Sequence, residues 1–224
     1  MYENSRYIKQ GTPEWHQVRA GRFTSSEVWK LTVQPRSKKD QEAGVMSKTA
    51  QTYIKEKLQE RLSGKPKESG DWKQTEWGNE NEPLAISKYE QMTGNQVHQV
   101  GFIPHGENSG CSTDGFVSFD GIIEVKCPFS SYIDRVMENV AENRDYYYQI
   151  QDGLRITGRQ WCDYVVFDPR MPEGMDISIE RVLRDDAIID LIETSIEKAE
   201  KALERMNKDF GEKILQTQKL AMAF

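Results

Sequence analysis

"GCSTDGFVSFDGIIEVKCP" occupies residues 110 to 128, and its apolar runs "GFVSF" and "GIIEVKC" read as two strands with Asp120-Gly121 between them, a dipeptide that favours a hairpin turn. Into this strand-like stretch are set three charges: Asp114, then Glu124 and Lys126. Alternate residues of a strand share a face, so Glu124 and Lys126 point the same way while Val125 points into the core. If the hairpin folds the preceding segment back, Asp114 comes near Glu124, and two carboxylates with one ammonium meet at a sheet end. Taken singly, Asp114-Gly115 reads equally as a turn, and Glu124 with Lys126 as a solvated strand pair. Taken together, with Ile122, Ile123, Val125 and Cys127 around them, they lie in a run that should be largely buried, where charges need partners.

Two close carboxylates repel unless one is protonated or a cation bridges them, and the hard oxygens of Asp and Glu suit Mg²⁺ or Mn²⁺. Such a site leaves metal positions for waters and a phosphate oxygen, which lowers the pKa of the water and neutralises charge developing on phosphorus. Lys126 would hold or polarise the attacking water. Glu82, on a helix expected just before these strands, is the natural further ligand or water-orienting carboxylate.

That helix is read from "WGNENEPLAISKYEQMTGN", from about Asn81 to Gln91 with Gly94 beyond its end. Ala50, Tyr53, Ile54, Leu58 and Leu62 recur at helical spacing before Gly64, which predicts an amphipathic helix over 47–62. The first helix is expected near "FTSSEVWKL", with Thr24 and Glu27 as a capping box. Residues 34–44 and the stretch "SGKPKESGD" read as polar loops. Strands are expected at 96–103, 115–119 and 121–127 as a β-meander, then helix from about Tyr132 to Thr157 broken near Asn143, then strands "WCDYVVF" (161–167) and "DISIERV" (176–182). From Asp185, Ile188, Leu191, Ile192, Ile196, Ala199, Leu203, Met206 and Phe210 share one face of a long amphipathic helix over about 185–210, packing on the sheet or on another subunit. These elements predict an α/β fold, a central mixed β-sheet flanked by helices, as a single domain over 1–224.

Composition limits what such a fold does. The 224 residues are 37% hydrophobic, 10% aromatic and 29% charged, which fits a folded, water-exposed protein. No run approaches the roughly 18 apolar residues of a membrane span, and the start lacks an apolar signal core, so a cytoplasmic protein without membrane contact is expected. Cys111, Cys127 and Cys162 have no metal-ligand spacing and read as buried thiols of a reducing compartment. A net charge of −6 argues against a DNA coat protein and requires any nucleic acid to be held by a local basic patch. His16, His98 and His105 form no metal spacing, and Tyr146, Tyr147 and Tyr148 read as core or as a base-stacking cluster.

The order Asp, then Glu-x-Lys, after a helix bearing Glu resembles the PD-(D/E)XK (restriction-endonuclease-like) nucleases, and more closely the lambda exonuclease or YqaJ-like viral recombinase family. "EWHQVRAGRFTSSEV" (14–28), "WGNENEP", "STDG", "EVKCP", "YYYQIQ" (146–151) and "FDPRM" (167–171) follow that family's order. The resemblance implies that Asp114, Glu124, the Val125 carbonyl and Glu82 bind Mg²⁺, as two ions and with Mn²⁺ able to replace it. It implies that Lys126 assists the nucleophile, that Gln149 lies beside the site, and that Arg19, Ser26 and Ser25 grip a 5′-phosphate. A helix N-terminus with a hydroxyl and a guanidinium suits an anion, although a solvated arginine and capping serines would read the same. It further implies a 5′-to-3′ exodeoxyribonuclease on double-stranded DNA ends that releases mononucleotides and leaves a 3′ single strand. A processive homotrimeric ring, a single-strand annealing partner, a role in DNA recombination and a phage or prophage origin belong to the same expectation. Another endonuclease or repair nuclease of the superfamily, and a non-catalytic DNA-end-binding protein, are the alternatives. Two departures stand out: Thr113 replaces the superfamily's proline, and the short link from Asp114 to Glu124 lacks a loop present in some relatives.

Overall fold

The computed structural model describes residues 7–67 and 72–221. The chain enters through α1 (Pro13–Arg19), β1 (Phe23–Thr24), a 3₁₀ turn at Ser25–Glu27, and α2 (Trp29–Thr32). The first helix is therefore earlier than expected. Thr12 caps it, its side chain accepting from Trp15 N, while Thr24 makes no cap bond and Glu27 pairs with Lys30 instead of closing a capping box. Within the expected 34–44 loop the short α3 (Lys38–Glu42) forms on a Ser37 cap. Helix α4 (Lys48–Ser63) runs as its periodicity predicts, from the Ser47 cap to Gly64, whose φ of 67° is the left-handed end that glycine permits. The second polar stretch, 63–71, lies partly outside the described residues.

Helix α5 (Trp72–Thr93) begins nine residues before the expected Asn81. Pro83 marks a helix start in sequence, because proline suits the first turn. Here it sits inside the helix, where it gives Asn79 no N–H to accept from. The next strands are β2 (Val97–His98), β3 (Ile103–His105), β4 (Ser109–Cys111), β5 (Gly115–Val117) and β6 (Gly121–Lys126). Helix α6 (Tyr132–Met137), a 3₁₀ turn at Val140–Glu142 and α7 (Arg144–Thr157) follow, with Asn143 capping α7 at the break that was expected there. Strands β7 (Trp161–Phe167) and β8 (Ile177–Leu183) and helix α8 (Asp186–Ala221) complete the order.

A mixed five-stranded sheet runs β2-β5-β6-β7-β8, with β6 and β7 parallel and the other pairs antiparallel. The parallel pair requires a crossover, which α6 and α7 provide. The expected meander forms as β2-β5-β6, with an unexpected hairpin inserted between its first two strands. The β3–β4 hairpin leaves this sheet and joins β1 in a second one of order β1-β4-β3, so β2 pairs with β5 across the gap. Helix α5 covers one sheet face through Ala85, Ile86 and Tyr89 on Ile123, Val125 and Val165. The other face buries Ile122, Tyr164 and Val166 under Tyr132, Ile150 and Leu154. Strand β6 is covered on both faces, which is why Glu124 is buried and Lys126, at its end, half-buried. Helix α8 packs Ile192, Ile196, Ala199 and Leu203 on α4 and the entering segment, not on the sheet, and Phe210 beyond is exposed. No described helix is long and apolar enough to cross a membrane.

Candidate active site

The ladder between β5 and β6 ends at Gly115 opposite Ile123. Past that point side chains replace the backbone of β5: the Thr113 hydroxyl donates to the Ile123 carbonyl (2.8 Å) and the Asp114 carboxylate accepts from the Val125 N–H (2.6 Å). A residue in a strand sends its N–H and C=O to the same neighbour, so the Val125 carbonyl faces the Asp114 edge too. Thr113 thus supplies a bond that the superfamily's proline has no donor to make.

Glu124, 4% exposed, accepts from Lys126 Nζ (2.5 Å) and from Gln149 Nε2 on α7 (2.6 Å) through the same oxygen. Burial, then Glu124 and Glu82, hold the Asp114 carboxyl well above the usual carboxylate range. Burial and Glu124 raise Glu82 likewise. Burial alone would lower the Lys126 ammonium, but Glu124 and Asp114 outweigh it and keep the group protonated. As an ammonium, Lys126 is the donor in its bond to Glu124. The structure thus brings Asp114, Glu124, Lys126 and Gln149 together, and Glu82 lines the same cleft as Asp114.

These oxygens suit a hard dication, and the repulsion among three carboxylates is the strain a cation relieves. They are not a ready-made chelate. Among the described residues no three His, Cys, Asp or Glu side chains are gathered to hold an ion, since Glu124 turns to Lys126 and Gln149 and Asp114 to backbone.

Asp114 and Glu82 open on a cleft of about 1220 Å³ that Arg19 and Ser26 also line, while Glu124 and Lys126 do not line it. Arg19 is placed by contacts that sequence reading missed. Its guanidinium stacks 3.9 Å over the Trp15 ring, and its Nη1 and the Trp15 Nε1 both donate to the Ser112 hydroxyl, at 3.1 and 2.9 Å. Ser112 stands two residues before Asp114, so the guanidinium is tethered beside the carboxylates. Nothing in the spacing of 15, 19 and 112 signals this, because a long-range fold makes it. Ser25 is buried and does not line the cleft, and its hydroxyl donates to Asp152 on α7 at 2.6 Å. Its place is in the wall behind Ser26. Tyr146 packs against Tyr164, Tyr147 bonds Asp185 and Tyr148 joins the α4–α8 core, so the triplet is core.

Glu124 and Lys126 on one strand, with Asp114 beside them on a cleft that an arginine and a serine also line, define the class: a nuclease of the PD-(D/E)XK kind. Residues 14–160 match the model of the YqaJ-like viral recombinase domain. The chain belongs to that family. An alkaline exonuclease from Laribacter hongkongensis is similar over 92% of this chain and 100% of its own, at 31% identity and a TM-score of 0.78. The same exonuclease in complex with dAMP gives 32% and 0.79 with the same coverage. A phage-related exonuclease from Haemophilus somnus 129PT, 24% identical with a TM-score of 0.71 over 84% of this chain and 96% of its own, shares the fold. No curated protein matches the sequence.

Proposed function

We propose that the protein is a metal-dependent exodeoxyribonuclease that degrades double-stranded DNA from a 5′ end, releases mononucleotides and leaves a 3′ single strand for annealing. The observation that carries this is a cleft lined by Asp114, Glu82, Arg19 and Ser26, with Asp114 bonded to the strand that carries Glu124 and Lys126. A 5′-terminal phosphate held by Arg19 and Ser26 leaves the first phosphodiester facing the carboxylates. That the Laribacter exonuclease was solved with dAMP, a 5′-mononucleotide, supports the product class.

Asp114, Glu124, the Val125 carbonyl and Glu82 are the groups that would hold Mg²⁺, as two ions, or Mn²⁺ in its place. When bound, the metal supplies a water of lowered pKa and neutralises charge on the phosphate. Lys126 donates to the attacking water and to the charge developing on phosphorus. Gln149 fixes the Glu124 carboxylate through its hydrogen bond. Family likeness supports a homotrimeric ring that threads the duplex, a single-strand annealing protein as partner, and action in the cytoplasm of a phage-carrying cell.

The test is digestion of linear and closed circular duplex with Mg²⁺ or chelator. Linear substrate should be consumed only with Mg²⁺, and circles should survive. Cutting of circles would support an endonuclease instead, and binding of ends without digestion a scaffold protein.

A further inference from the structure

Resting on that reading, a buried network behind the cleft extends the site. Asp152 is 1% exposed and lies one turn beyond Gln149 on α7. One of its oxygens accepts from the Ser25 hydroxyl at 2.6 Å and the other from Arg155 Nε at 2.8 Å. Arg155, its side chain 5% exposed, reaches Glu193 of α8 at 3.6 Å and keeps its Nη2 buried without a hydrogen-bond partner. Burial and, next to it, the Asp152 charge raise the thiol of Cys111, the residue before Ser112.

An i, i+3 Asp–Arg pair on a helix surface contributes a few tenths of a kcal/mol and fixes nothing else. Here the pair is out of water, where a carboxylate is costly unless its oxygens are satisfied, and its third partner comes from another part of the chain. That partner is the residue beside Ser26. Through Ser25 the carboxylate holds the 3₁₀ turn of the cleft wall, and through its own helix it is joined to Gln149 and so to Glu124.

We propose that Asp152 is a positioning residue that sets the Arg19–Ser26 phosphate grip in register with the Asp114–Glu124 cleavage site. It touches no substrate. Removing it should loosen the grip without disturbing the carboxylates, so the penalty should fall on substrates that carry the gripped phosphate.

The experiment compares kcat/KM on linear duplex with 5′-phosphate and with 5′-hydroxyl ends for wild type, Asp152→Asn and Ser25→Ala, with thermal melts to confirm folding. Both variants should lower the phosphate-to-hydroxyl ratio about tenfold, the worth of one charge-assisted hydrogen bond. Asp152→Asn should stay within about threefold of wild type on hydroxyl ends, since about 0.7 kcal/mol or less then separates them. If Asp152→Asn does not fold, Asp152→Glu takes its place and the same differential is expected. Equal losses on both ends, or an unchanged ratio, would overturn the inference. So would a loss in Ser25→Ala alone, which would make Ser25 a direct phosphate ligand. A wild-type protein blind to the end group would overturn the phosphate grip itself, an outcome visible before any variant is compared.

Discussion

Asp114 carries two demands at once, an acceptor for the Val125 N–H and a charge beside two other carboxylates. Its raised pKa, with that of Glu82, fixes a sign. The folded state keeps protons that the unfolded chain loses near pH 4, so over that window the unfolded state binds fewer protons and stability falls as pH rises from about 4 through the raised folded values. In chelator the wild-type melting temperature should therefore decline more steeply over this range than that of Asp114→Asn, whose amide oxygen still accepts from Val125. Parallel curves would show that Asp114 ionises normally. Lys126→Ala and Glu124→Ala should cut DNA hydrolysis by at least about 100-fold while the proteins remain folded by circular dichroism, the loss expected when a charge-stabilising group is removed. Arg19→Ala should mainly erase the preference for a 5′-phosphate, read as the ratio of rates on the two kinds of end. At this scale the sequence was most informative where strand geometry alone places a side chain, as for Glu124 and Lys126. It was silent where placement is long-range: Ser112 beneath Arg19, and Ser25 turned inward to Asp152.

Elements were legible in proportion to their length and periodicity. Helix α4 and strand β7 fall where their patterns put them. Strands β1 and β4 span two and three residues, too short for any alternation to register, so the second sheet was invisible although the β2-β5-β6 meander was not. Pro83 hid the first turns of α5 because it is a start signal locally and is overridden by packing of Ala85, Ile86 and Tyr89. Pro83→Ala should restore a helical donor and raise the unfolding free energy by about 1–3 kcal/mol in a urea titration. No change would mean that the missing hydrogen bond is otherwise compensated. Gly121, read as a turn residue, is the first residue of β6, and the loop is Ser118–Asp120 with Ser118 at a φ of 52°. The glycine is needed because a Cβ there would enter the Trp161 indole. Gly121→Ala should cost about 1–3 kcal/mol, the range for overpacking, measured by the same titration.

Across the molecule, three packed clusters join the sheet, its two helical layers and the α4–α8 pair, and the cleft lies where the entering segment, α5 and β5 meet. The α/β class and the mixed sheet follow from the alternation of strand and helix patterns. Ring formation, polarity and processivity do not, because they depend on how copies and DNA meet. Helix α8 continues past Met206 with exposed side chains, among them Phe210, Ile214 and Leu215. Ending the chain after Lys208 should change the unfolding free energy by less than about 1 kcal/mol, since a solvated helical end adds little. A larger loss that depends on protein concentration would show that another copy covers this stripe.

The central claim is that the Asp114–Glu124–Lys126 sheet end hydrolyses DNA inward from a 5′ terminus. The most direct measurement is Mg²⁺-dependent digestion of linear duplex labelled at one 5′ or one 3′ terminus, with wild type and Lys126→Ala. The 5′ label should appear at once as mononucleotide with wild type while the 3′ label stays on long strands, and Lys126→Ala should release neither. Early release of the 3′ label, or wild-type digestion by Lys126→Ala, would contradict the account.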